Sequence, residues 1–264
     1  MSSPGETPAL RLDMVSRTDR GRMREHNEDA LACDAVAGVA VLADGMGGYA
    51  AGEVASGAAA AQVASELARL KAEYPRLDAP DLMRAMRESI RRVNTQIFRV
   101  AHRDPRYAGM GTTLVAAAFT GELAVIAHAG DSRAYLFRDQ RLRRLTKDHS
   151  LLQERIDLGL LRENDPAGQA VRNLITRALG VDPLLEPEIG VHGMRDADLV
   201  LLCSDGLSDM LEDAQIEQLL RAHDGDAPRA AQELIEQANA AGGRDNISVI
   251  LIGLHLGDPS RGPS

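Results

Sequence analysis

Apolar and polar positions along this chain follow two different periods. The alternating segment LRLDMVSRT and the apolar run GVAVLAD predict two β-strands, and the Ala-rich segment GEVASGAAAAQVASELARLKAE predicts a helix. A second helix is predicted over roughly residues 79–103, because apolar residues recur there at spacings of three and four, namely Leu82, Met86, Ile90, Val93 and Ile97.

The middle and the end of the chain predict further strands. The segments TTLVAAAFT, ELAVIAHAG and RAYLFRD follow one another through short connections, which predict antiparallel hairpins. Residues 149–195 are more polar and contain three prolines, so we expect an irregular subdomain over one edge of a sheet. The last third predicts a buried strand in DLVLLCSD, helices over about 212–222 and 227–241, and a final strand in NISVILIGL.

Together these elements predict one α+β domain. Runs of strands separated by pairs of helices are typical of antiparallel sheets with helices packed outside them. No long linker, repeat or low-complexity tract interrupts residues 10–255, and we expect residues 1–9 and 256–264 to be disordered.

Composition narrows the class of protein. Of the 264 residues, 44% are hydrophobic and 26% are charged, as in soluble globular proteins, and the net charge of −9 disfavours a nucleic-acid-binding protein. The two cysteines lack partners at metal-ligand spacing and are expected to be reduced and mostly buried. Because we find neither a signal pattern nor an apolar run of about 20 residues, we expect a cytoplasmic protein without membrane or nucleic-acid partners.

Acidic residues recur where the apolar strands end. Asp44, Asp131 and Asp205 follow three apolar runs, Asp245 precedes the last one, and three of the four adjoin a glycine. Glu28 and the following Asp29 precede another apolar segment. Any one of them alone is a common turn residue. The ends of strands in one sheet tend to lie close together, so the four aspartates are expected to converge.

Converging carboxylates require a compensating charge. Two of them about 4 Å apart repel by roughly 4 kcal/mol at an effective dielectric constant of about 20. Several such pairs would offset most of a domain's net stability of ~5–15 kcal/mol. Either most of the carboxylates are protonated or a divalent cation lies among them, and oxygen ligands without His or Cys favour Mg²⁺ or Mn²⁺.

The glycines after Asp44 allow a competing interpretation. Gly45, Gly47 and Ala50 satisfy the dinucleotide-binding pattern G-x-G-x-x-G/A after a strand. However, Asp44 would direct a negative charge at the pyrophosphate, and no second strand ends in an acidic residue about 20 positions later. We therefore expect the glycines to permit a tight backbone turn that brings the Gly45 carbonyl to a metal.

Six motifs lie in one order over residues 11–254: REHNEDA, LADGMGGYAAGEVAS, GMGTTLVAAA, AHAGDSRAYLF with LTKDHSL, LLCSDGLSDML and GGRDNISVI. Together they resemble the metal-dependent PP2C-type (PPM) serine/threonine protein phosphatases, particularly the compact bacterial members. The resemblance implies an α+β fold, a β-sandwich of two antiparallel sheets flanked by helices on both outer faces. It also implies Mn²⁺ or Mg²⁺ as cofactor, with two ions at one end of the sandwich.

The resemblance also implies roles for particular residues. Asp44 matches the ligand that bridges both metals, and Gly45 matches the residue that contributes its carbonyl oxygen. Asp205 and Asp245 match ligands of the first metal, and Glu28 matches the acidic residue near the second. These assignments come from the motifs and not from spacing.

Two further matches concern a third metal and the substrate. Asp131 matches the residue that, with Asp205, holds a third and weaker metal in bacterial members. Arg24 matches the arginine that grips the substrate phosphate, and a bidentate guanidinium suits that task. Asp44, Asp205 and Arg24 are thus the expected catalytic residues. Arg24 alone could also belong to a solvated basic surface.

One position departs from the family pattern. Many bacterial relatives carry His where this chain has Tyr49. A tyrosine can still donate a hydrogen bond, but with a pKa near 10 it is a poor proton shuttle at neutral pH. We therefore expect a metal-bound water, rather than Tyr49 or His26, to protonate the leaving group. His128 and His149 lie near the motifs and are expected to form structural hydrogen bonds.

The resemblance implies a cytoplasmic, monomeric enzyme that removes phosphate from Ser and Thr by attack of a metal-activated water. Its partners would be phosphorylated proteins, a bacterial serine/threonine kinase and its substrates. No Ser-His-Asp or Cys-His set indicates a covalent intermediate. Residues 149–195 correspond to the family's flap, which is expected to influence substrate choice. The alternative is a silent relative that only binds phosphoproteins, but such a protein would not need the costly carboxylates.

Overall fold

The computed structural model describes residues 10–47, 51–162, 165, 168 and 171–257. Within these residues the chain forms two antiparallel sheets. Across the first sheet the strands are Leu10–Asp19 (β1), Ile247–Leu256 (β11), Leu199–Cys203 (β10), Arg133–Arg138 (β7) and Arg141–Arg144 (β8). Across the second they are Asp29–Asp34 (β2), Val39–Met46 (β3), Leu114–Thr120 (β5), Leu123–Ala129 (β6) and Glu188–Gly193 (β9), and Gly111–Thr112 (β4) pairs with the end of β3.

Helices cover both outer faces of the two sheets. The helices Ala51–Glu73 (α1) and Ala79–Arg103 (α2) pack on the second sheet, and Asp205–Ser208 (α4), Asp213–Ala222 (α5) and Ala227–Ala240 (α6) pack on the first. A short helix, Leu151–Asp157 (α3), follows β8. The α+β fold class predicted from the motifs, with its sandwich flanked by helices on both sides, is confirmed.

Local sequence accounts for where the long helices begin. The Asp78 side chain accepts a hydrogen bond from the Asp81 amide (2.8 Å), so it caps α2, and Pro80 lies in the first turn, where a missing N–H costs nothing. In α6 the Asp226 side chain accepts from the Arg229 amide (3.1 Å) in the same way.

The apolar side chains form three layers. On β3, Val41 and Ala43 face α1 and α2, and Leu42 faces the other sheet, because successive side chains of a strand point to opposite faces. The layer between the sheets includes Leu42, Ile126 and Ile252, and each of these three side chains is at most 2% exposed. A strand buried on both faces reads as a continuous apolar run, which is what the sequence shows.

The expected hairpins are only partly present. β5 and β6 do form one, with Thr120 paired to Leu123. β6 and β7, by contrast, lie in different sheets, and β7 pairs with β10 and β8, so the second predicted hairpin is wrong. Because both strands are buried on both faces, the apolar pattern does not specify the sheet to which each belongs.

Residues 149–195 are not irregular throughout. α3 lies near their start, and Glu188–Gly193 form β9, the edge strand that pairs with β6. The strands β2 and β8 are not among the predicted strands, because the apolar segment of DALACD is only four residues long and RLRR is polar. Apart from Leu256 and Gly257, the expected disordered ends lie outside the described residues, and β11 continues one residue past the predicted boundary.

Two further observations concern the expected cellular setting. None of the helices in the described part of the chain is both long and apolar enough to cross a membrane. Both cysteines are free; Cys203 is buried, but Cys33 is exposed, unlike the buried position expected of it.

The layer between the sheets gives a stability prediction. Ile252→Ala should lower the free energy of unfolding by about 2–5 kcal/mol, because it leaves a cavity where the native side chain is fully buried. The matched control, Val36→Ala, lies at a fully exposed position and should change it by less than about 0.5 kcal/mol. Denaturant unfolding followed by circular dichroism measures both. Equal effects of the two substitutions would contradict the assignment of this layer.

Candidate metal centre

Strand register brings the predicted aspartates to one end of the sandwich. In the first sheet, Cys203 of β10 pairs with Arg133 of β7. Asp131 and Asp205 each lie two residues beyond this pair, and both line one cavity at this end of the sheet. The last strand, β11, lies on the other side of β10, and Asp245 lies two residues before its start.

The second sheet contributes Asp44 and a carboxylate that the sequence analysis did not select. Asp29 is the first residue of β2 and pairs directly with Asp44 of β3. The only sequence signal for Asp29 was its position next to Glu28, at the start of an apolar segment. Two aspartates facing each other across a ladder repel, so this pairing needs a compensating charge.

Backbone hydrogen bonds fix the position of Asp44. Its carbonyl oxygen accepts from the Thr113 amide and from the Thr112 hydroxyl, both at 2.9 Å. Its amide donates to the Thr113 hydroxyl oxygen at 3.2 Å, and that hydroxyl also contacts Ser132 Oγ at 2.7 Å. The GTT segment and the serine of GDSR therefore hold Asp44 near the end of β3.

Gly45 is required by close packing rather than by an unusual backbone angle. A Cβ built on Gly45 would lie 2.3 Å from the Gly52 carbonyl oxygen and 2.6 Å from the Glu28 carbonyl oxygen. The Gly45 amide donates to that Glu28 oxygen at 3.1 Å. The expected tight turn is thus not the reason for this glycine; the first turn of α1 and the loop before β2 approach too closely for any side chain.

Glu28 lies against the first turn of α1. A Cβ on Gly52 would lie 2.8 Å from Glu28 Oε2, so only a glycine leaves room for this carboxylate. The Ser56 hydroxyl donates to the Glu28 carbonyl oxygen at 2.5 Å. A carboxylate is favourable beside the N-terminal turn of a helix, where unpaired N–H groups carry partial positive charge.

Asn246 ties the loop before β2 to the loop before β11. Its Nδ2 donates to the carbonyl oxygens of Arg20 (2.9 Å) and His26 (2.8 Å), and its Oδ1 accepts from the Glu28 amide (2.8 Å). Its own amide donates to Asp245 Oδ1 at 2.8 Å. Sequence reasoning missed Asn246 because asparagine after an aspartate reads as an ordinary turn.

A buried hydroxyl group holds the Asp29 side chain. Ser204 Oγ donates to Asp29 Oδ2 at 3.0 Å. Ser204 Oγ in turn accepts from the Ser248 amide at 3.0 Å. Ser204 is 0% exposed, so its hydroxyl fixes the orientation of Asp29 from inside the protein.

Arg24 reaches the rim of this cluster. Its Nη2 lies 2.6 Å from Asp245 Oδ2, and 52% of its side chain is exposed. The neighbouring negative charges of Asp245, Asp44 and Glu28 raise its pKa further above its usual value. Arg24 is thus a half-exposed cation at the edge of an acidic site, and not part of a detached basic surface.

Burial and mutual repulsion raise the pKa of these carboxyl groups. Burial raises the pKa of Asp29 to about 7 and that of Asp205 to about 6, and the neighbouring charges add to both shifts. Burial and the charges of Asp29, Asp205, Asp131 and Asp245 raise the pKa of Asp44 well above its usual range.

Three buried oxygens in the cluster have no hydrogen-bond partner: Asp29 Oδ1, Asp131 Oδ1 and Asp205 Oδ1. Buried polar atoms are nearly always paired, so such a concentration at one place indicates a missing cation or water. The available donors are all oxygens, which suits Mg²⁺ or Mn²⁺ and not zinc. These residues therefore fit divalent cations of the magnesium type.

A cavity of about 260 Å³ opens beside the cluster, under the segment that follows β8. Asp131 and Asp205 line it together with Asp209, whose pKa is raised by burial. Arg172 reaches over from the flap to Asp209 at 2.9 Å. The cavity thus brings a third carboxylate, Asp209, to the pair that the resemblance associates with a third metal.

The two histidines form structural hydrogen bonds, as expected. His128 Nε2 lies 2.8 Å from the Lys147 carbonyl oxygen, which can only accept, and His149 Nδ1 accepts from the Gly130 amide at 3.2 Å. Their rings stack at 4.5 Å. His149 Nε2 lies 3.1 Å from Arg177 Nη1 and 3.4 Å from Glu188 Oε2. The Arg177 guanidinium is a fixed positive charge at this position, which disfavours a metal cation beside the two histidines.

The structure therefore gathers the predicted residues at one end of the sandwich: Glu28, Asp44, Gly45, Asp131, Asp205, Asp245 and Arg24. It adds Asp29, Asp209 and Asn246 to them. Tyr49, the departure from the family pattern, lies outside the described residues. The arrangement can hold divalent cations and present an adjacent guanidinium to an anion.

Comparisons with known proteins agree with the resemblance that the six motifs indicate. A family model described as protein phosphatase 2C matches residues 19–248. The serine/threonine phosphatase stp of Listeria welshimeri is 38% identical over 251 residues, which cover 94% of this chain and 98% of that protein.

Two solved structures match over nearly their whole length. The Mycobacterium tuberculosis serine/threonine phosphatase PstP/Ppp gives a TM-score of 0.82 at 38% identity and covers 93% of this chain and 99% of its own. The catalytic domain of the phosphatase PstP in complex with two manganese ions gives 0.80 at 37% identity, covering 94% and 100%.

The raised pKa values give a prediction about stability. Because Asp29 and Asp205 bind protons more tightly when folded, their contribution to stability is full below about pH 4 and is lost as pH rises toward about 7. A bound cation removes that loss. We expect Mn²⁺, compared with EDTA, to raise the melting temperature more at pH 7.5 than at pH 5.

Thermal unfolding followed by circular dichroism measures this difference. Asp13→Asn, which changes an exposed carboxylate away from the cluster, should keep the full Mn²⁺ effect, whereas Asp205→Asn should reduce it. A Mn²⁺ effect that is absent, or equal at both pH values, would contradict the cation site.

Proposed function

This chain belongs to the protein phosphatase 2C family, and we propose that the acidic cluster at the end of its sandwich is the metal centre of the enzyme. The chain is a metal-dependent serine/threonine protein phosphatase. The observation that carries the proposed site is the set of buried, unpartnered carboxylate oxygens next to a half-exposed arginine.

We assign the metal ligands as follows. Asp44 would serve both cations and Gly45 would contribute its carbonyl oxygen; Asp205 and Asp245 would complete the first site, and Glu28 would lie at the second. Mn²⁺ or Mg²⁺ is the cofactor, as supported by the all-oxygen donor set and by the manganese complex of a relative.

A third, weaker cation position lies beside these two. Asp131 and Asp205 each have an unpartnered buried oxygen, and both line the cavity that Asp209 completes. Arg172 already forms an ion pair with Asp209 at 2.9 Å, so a cation at this position competes with the guanidinium for that carboxylate. That competition is a physical reason for the third site to be weaker.

When bound, the cations lower the pKa of a coordinated water and neutralise charge on the phosphoryl oxygens. The chain's own side chains orient the reactants. Asp29, held by Ser204, keeps Oδ1 free to accept a hydrogen bond from a water within the cluster. No side chain needs to form a covalent intermediate.

Arg24 is proposed to grip the substrate phosphate. Its guanidinium presents more donors than the single contact with Asp245 uses. A cation on Asp245 competes for the same carboxylate, which frees donors of Arg24 for a phosphate at the rim. Because the side chain is half exposed, a phosphate carried on another protein can reach it.

We propose phosphorylated proteins as substrates and a serine/threonine kinase as the opposing partner. The opposing kinase, the monomeric state and the cytoplasmic setting rest on the family resemblance and on the two unpaired cysteines. A silent phosphoprotein-binding relative is the second candidate. Tyr49 in place of a family histidine favours it, and the intact carboxylate cluster disfavours it.

Removing a metal ligand should abolish turnover. Asp44→Asn and Asp205→Asn should each lower kcat with a generic aryl phosphate and Mn²⁺ by about a hundredfold or more, because each removes preorganised charge at the reaction site. EDTA should stop the parent enzyme, and Asp13→Asn should match the parent. If the two site variants retain parental turnover, the ligand assignment is wrong. If no divalent cation activates the intact parent, the silent-relative interpretation replaces the enzyme.

Removing the arginine should affect substrate binding more than chemistry. Arg24→Ala should raise KM about tenfold with a smaller change in kcat, because a half-exposed guanidinium binds the ground-state phosphate. Arg24→Lys should recover only part of this loss, since lysine cannot bind in a bidentate manner. Steady-state kinetics with a phosphopeptide decides between the outcomes; a change confined to kcat would rule out a ground-state phosphate anchor.

A further inference from the structure

A groove lies at the end of the sandwich opposite the metal centre. Its volume is about 420 Å³, and its lining includes Leu12, Asp34, Lys71, Tyr74 and Phe119. On the β2–β3 hairpin, Asp29 and Asp44 pair at the metal end, and Asp34 and Val39 pair at the groove end. The two ends are five residue steps apart along β2, or roughly 17 Å at ~3.3 Å per residue.

Lysine is rare in this chain. Of its 30 Lys and Arg residues, only Lys71 and Lys147 are lysines. Lys147 is 54% exposed and forms an ion pair with Asp157. Lys71, in the last turn of α1, is half-buried in the groove, and its Nζ donates to the Phe119 carbonyl oxygen.

The turn at Gly38 packs closely against the Lys71 amine in the wall of the groove. Gly38, with a φ of +64°, has no side chain there, and a Cβ at this position would lie 3.3 Å from Lys71 Nζ and 3.2 Å from Leu12 Cδ1. The Phe119 amide donates to the Gly38 carbonyl oxygen at 2.9 Å, which fixes the turn against β5. The amine therefore meets backbone and apolar side chains on several sides.

Few ionisable side chains lie near Lys71 in the described part of the groove. Among the described residues that line the groove, Asp34 is the one carboxylate and Tyr74 the other titratable side chain besides Lys71 itself. Burial lowers the pKa of the Lys71 amine to about 8, and the Asp34 charge partly opposes that shift. At a pKa of about 8, about a tenth of the amine is uncharged, and nucleophilic, at pH 7, far more than for an ordinary lysine.

We propose that Lys71 is an acylation site of this protein, at which the groove admits a small activated acyl donor of the acyl-phosphate or thioester class. The uncharged Nζ attacks the carbonyl carbon and forms a C–N bond. The bond from that carbon to the phosphate oxygen or thiolate sulfur breaks, and the leaving group takes the electron pair. The nitrogen releases one proton to water, so no oxidant or reductant is needed.

The product fits its surroundings. An acylated Nζ keeps one N–H, which can still donate to the Phe119 carbonyl oxygen. The acyl group adds apolar atoms next to Leu12 and Phe119, which already line the groove. The positive charge opposite Asp34 is lost, but Asp34 keeps its hydrogen bond from the Ala37 amide at 2.8 Å.

The test compares the two lysines within one molecule. The full chain is treated with acetyl phosphate between pH 6.5 and 9, with EDTA present so that the metal centre does not hydrolyse the reagent. Quantitative peptide mass spectrometry then gives initial acetylation rates at Lys71 and Lys147. We expect Lys71 to react on the order of tenfold faster at pH 7.5, with a rate that levels off above about pH 8.

Three controls make the result specific. Unfolding in urea should bring the two rates close together, because the groove and not the local sequence sets the preference. Asp34→Asn should increase Lys71 acetylation below pH 8, since it removes the charge that favours the ammonium form. Lys71→Arg should abolish the fast reaction and Lys147→Arg should leave it unchanged.

Equal rates at the two lysines of the folded protein, or a preference that persists in urea, would overturn the proposal. The outcome is independent of the phosphatase assignment, because labelling is measured with the metal chelated. Replacing acetyl phosphate by an uncharged acetyl thioester identifies the donor class. A fast reaction at Lys71 with either reagent supports the site, and no preference with both overturns it.

Discussion

The dominant constraint on this molecule is the repulsion among carboxylates buried at one end of the sandwich. Burial and neighbouring negative charges raise the pKa of Asp44 well above its usual range, and Asp29 and Asp131 experience the same environment. Left uncompensated, such a cluster would destabilise the fold or become protonated. A protein that keeps it must hold the carboxylates rigidly and supply cations in return.

The surrounding structure performs the first of these tasks. Thr112 and Thr113 fix the backbone of Asp44, and Ser204 orients Asp29. Asn246 joins two loops that are distant in sequence. None of these residues is charged, so they orient the acidic side chains without neutralising them. The metal ions supply the compensating positive charge, which explains why some buried carboxylate oxygens have no hydrogen-bond partner within the protein.

The same sandwich keeps its two ends chemically distinct. One end of the β2–β3 hairpin carries the acidic pair Asp29 and Asp44. The other end contributes Asp34 to the largely apolar groove that contains the Lys71 amine. The rigid apolar layers between them separate the metal centre from the reactive lysine. An acyl group on Lys71 would therefore leave the carboxylate cluster and its ligands in place.

Residue order alone determined a large part of this description. Apolar periodicity located the main helices and most core strands, because burial on one face or on both leaves a pattern that any reader of the chain can detect. The six motifs identified the family and most of the site. The pattern failed where it carries no such information: β6 and β7 are apolar on both faces, and nothing in them indicates that they lie in different sheets.

Only the tertiary structure decided the partners of each side chain. Asp29 became a site residue because its strand pairs with β3, and Asp209 because a helical turn carries it into the cavity beside Asp131. Gly45 is required by the approach of α1 and the loop before β2, not by a local turn. Lys71 looked like an ordinary helical lysine until packing placed its amine in a groove. The roles of these residues depend on contacts between parts of the chain that are far apart in sequence, so the local sequence around each residue does not reveal them.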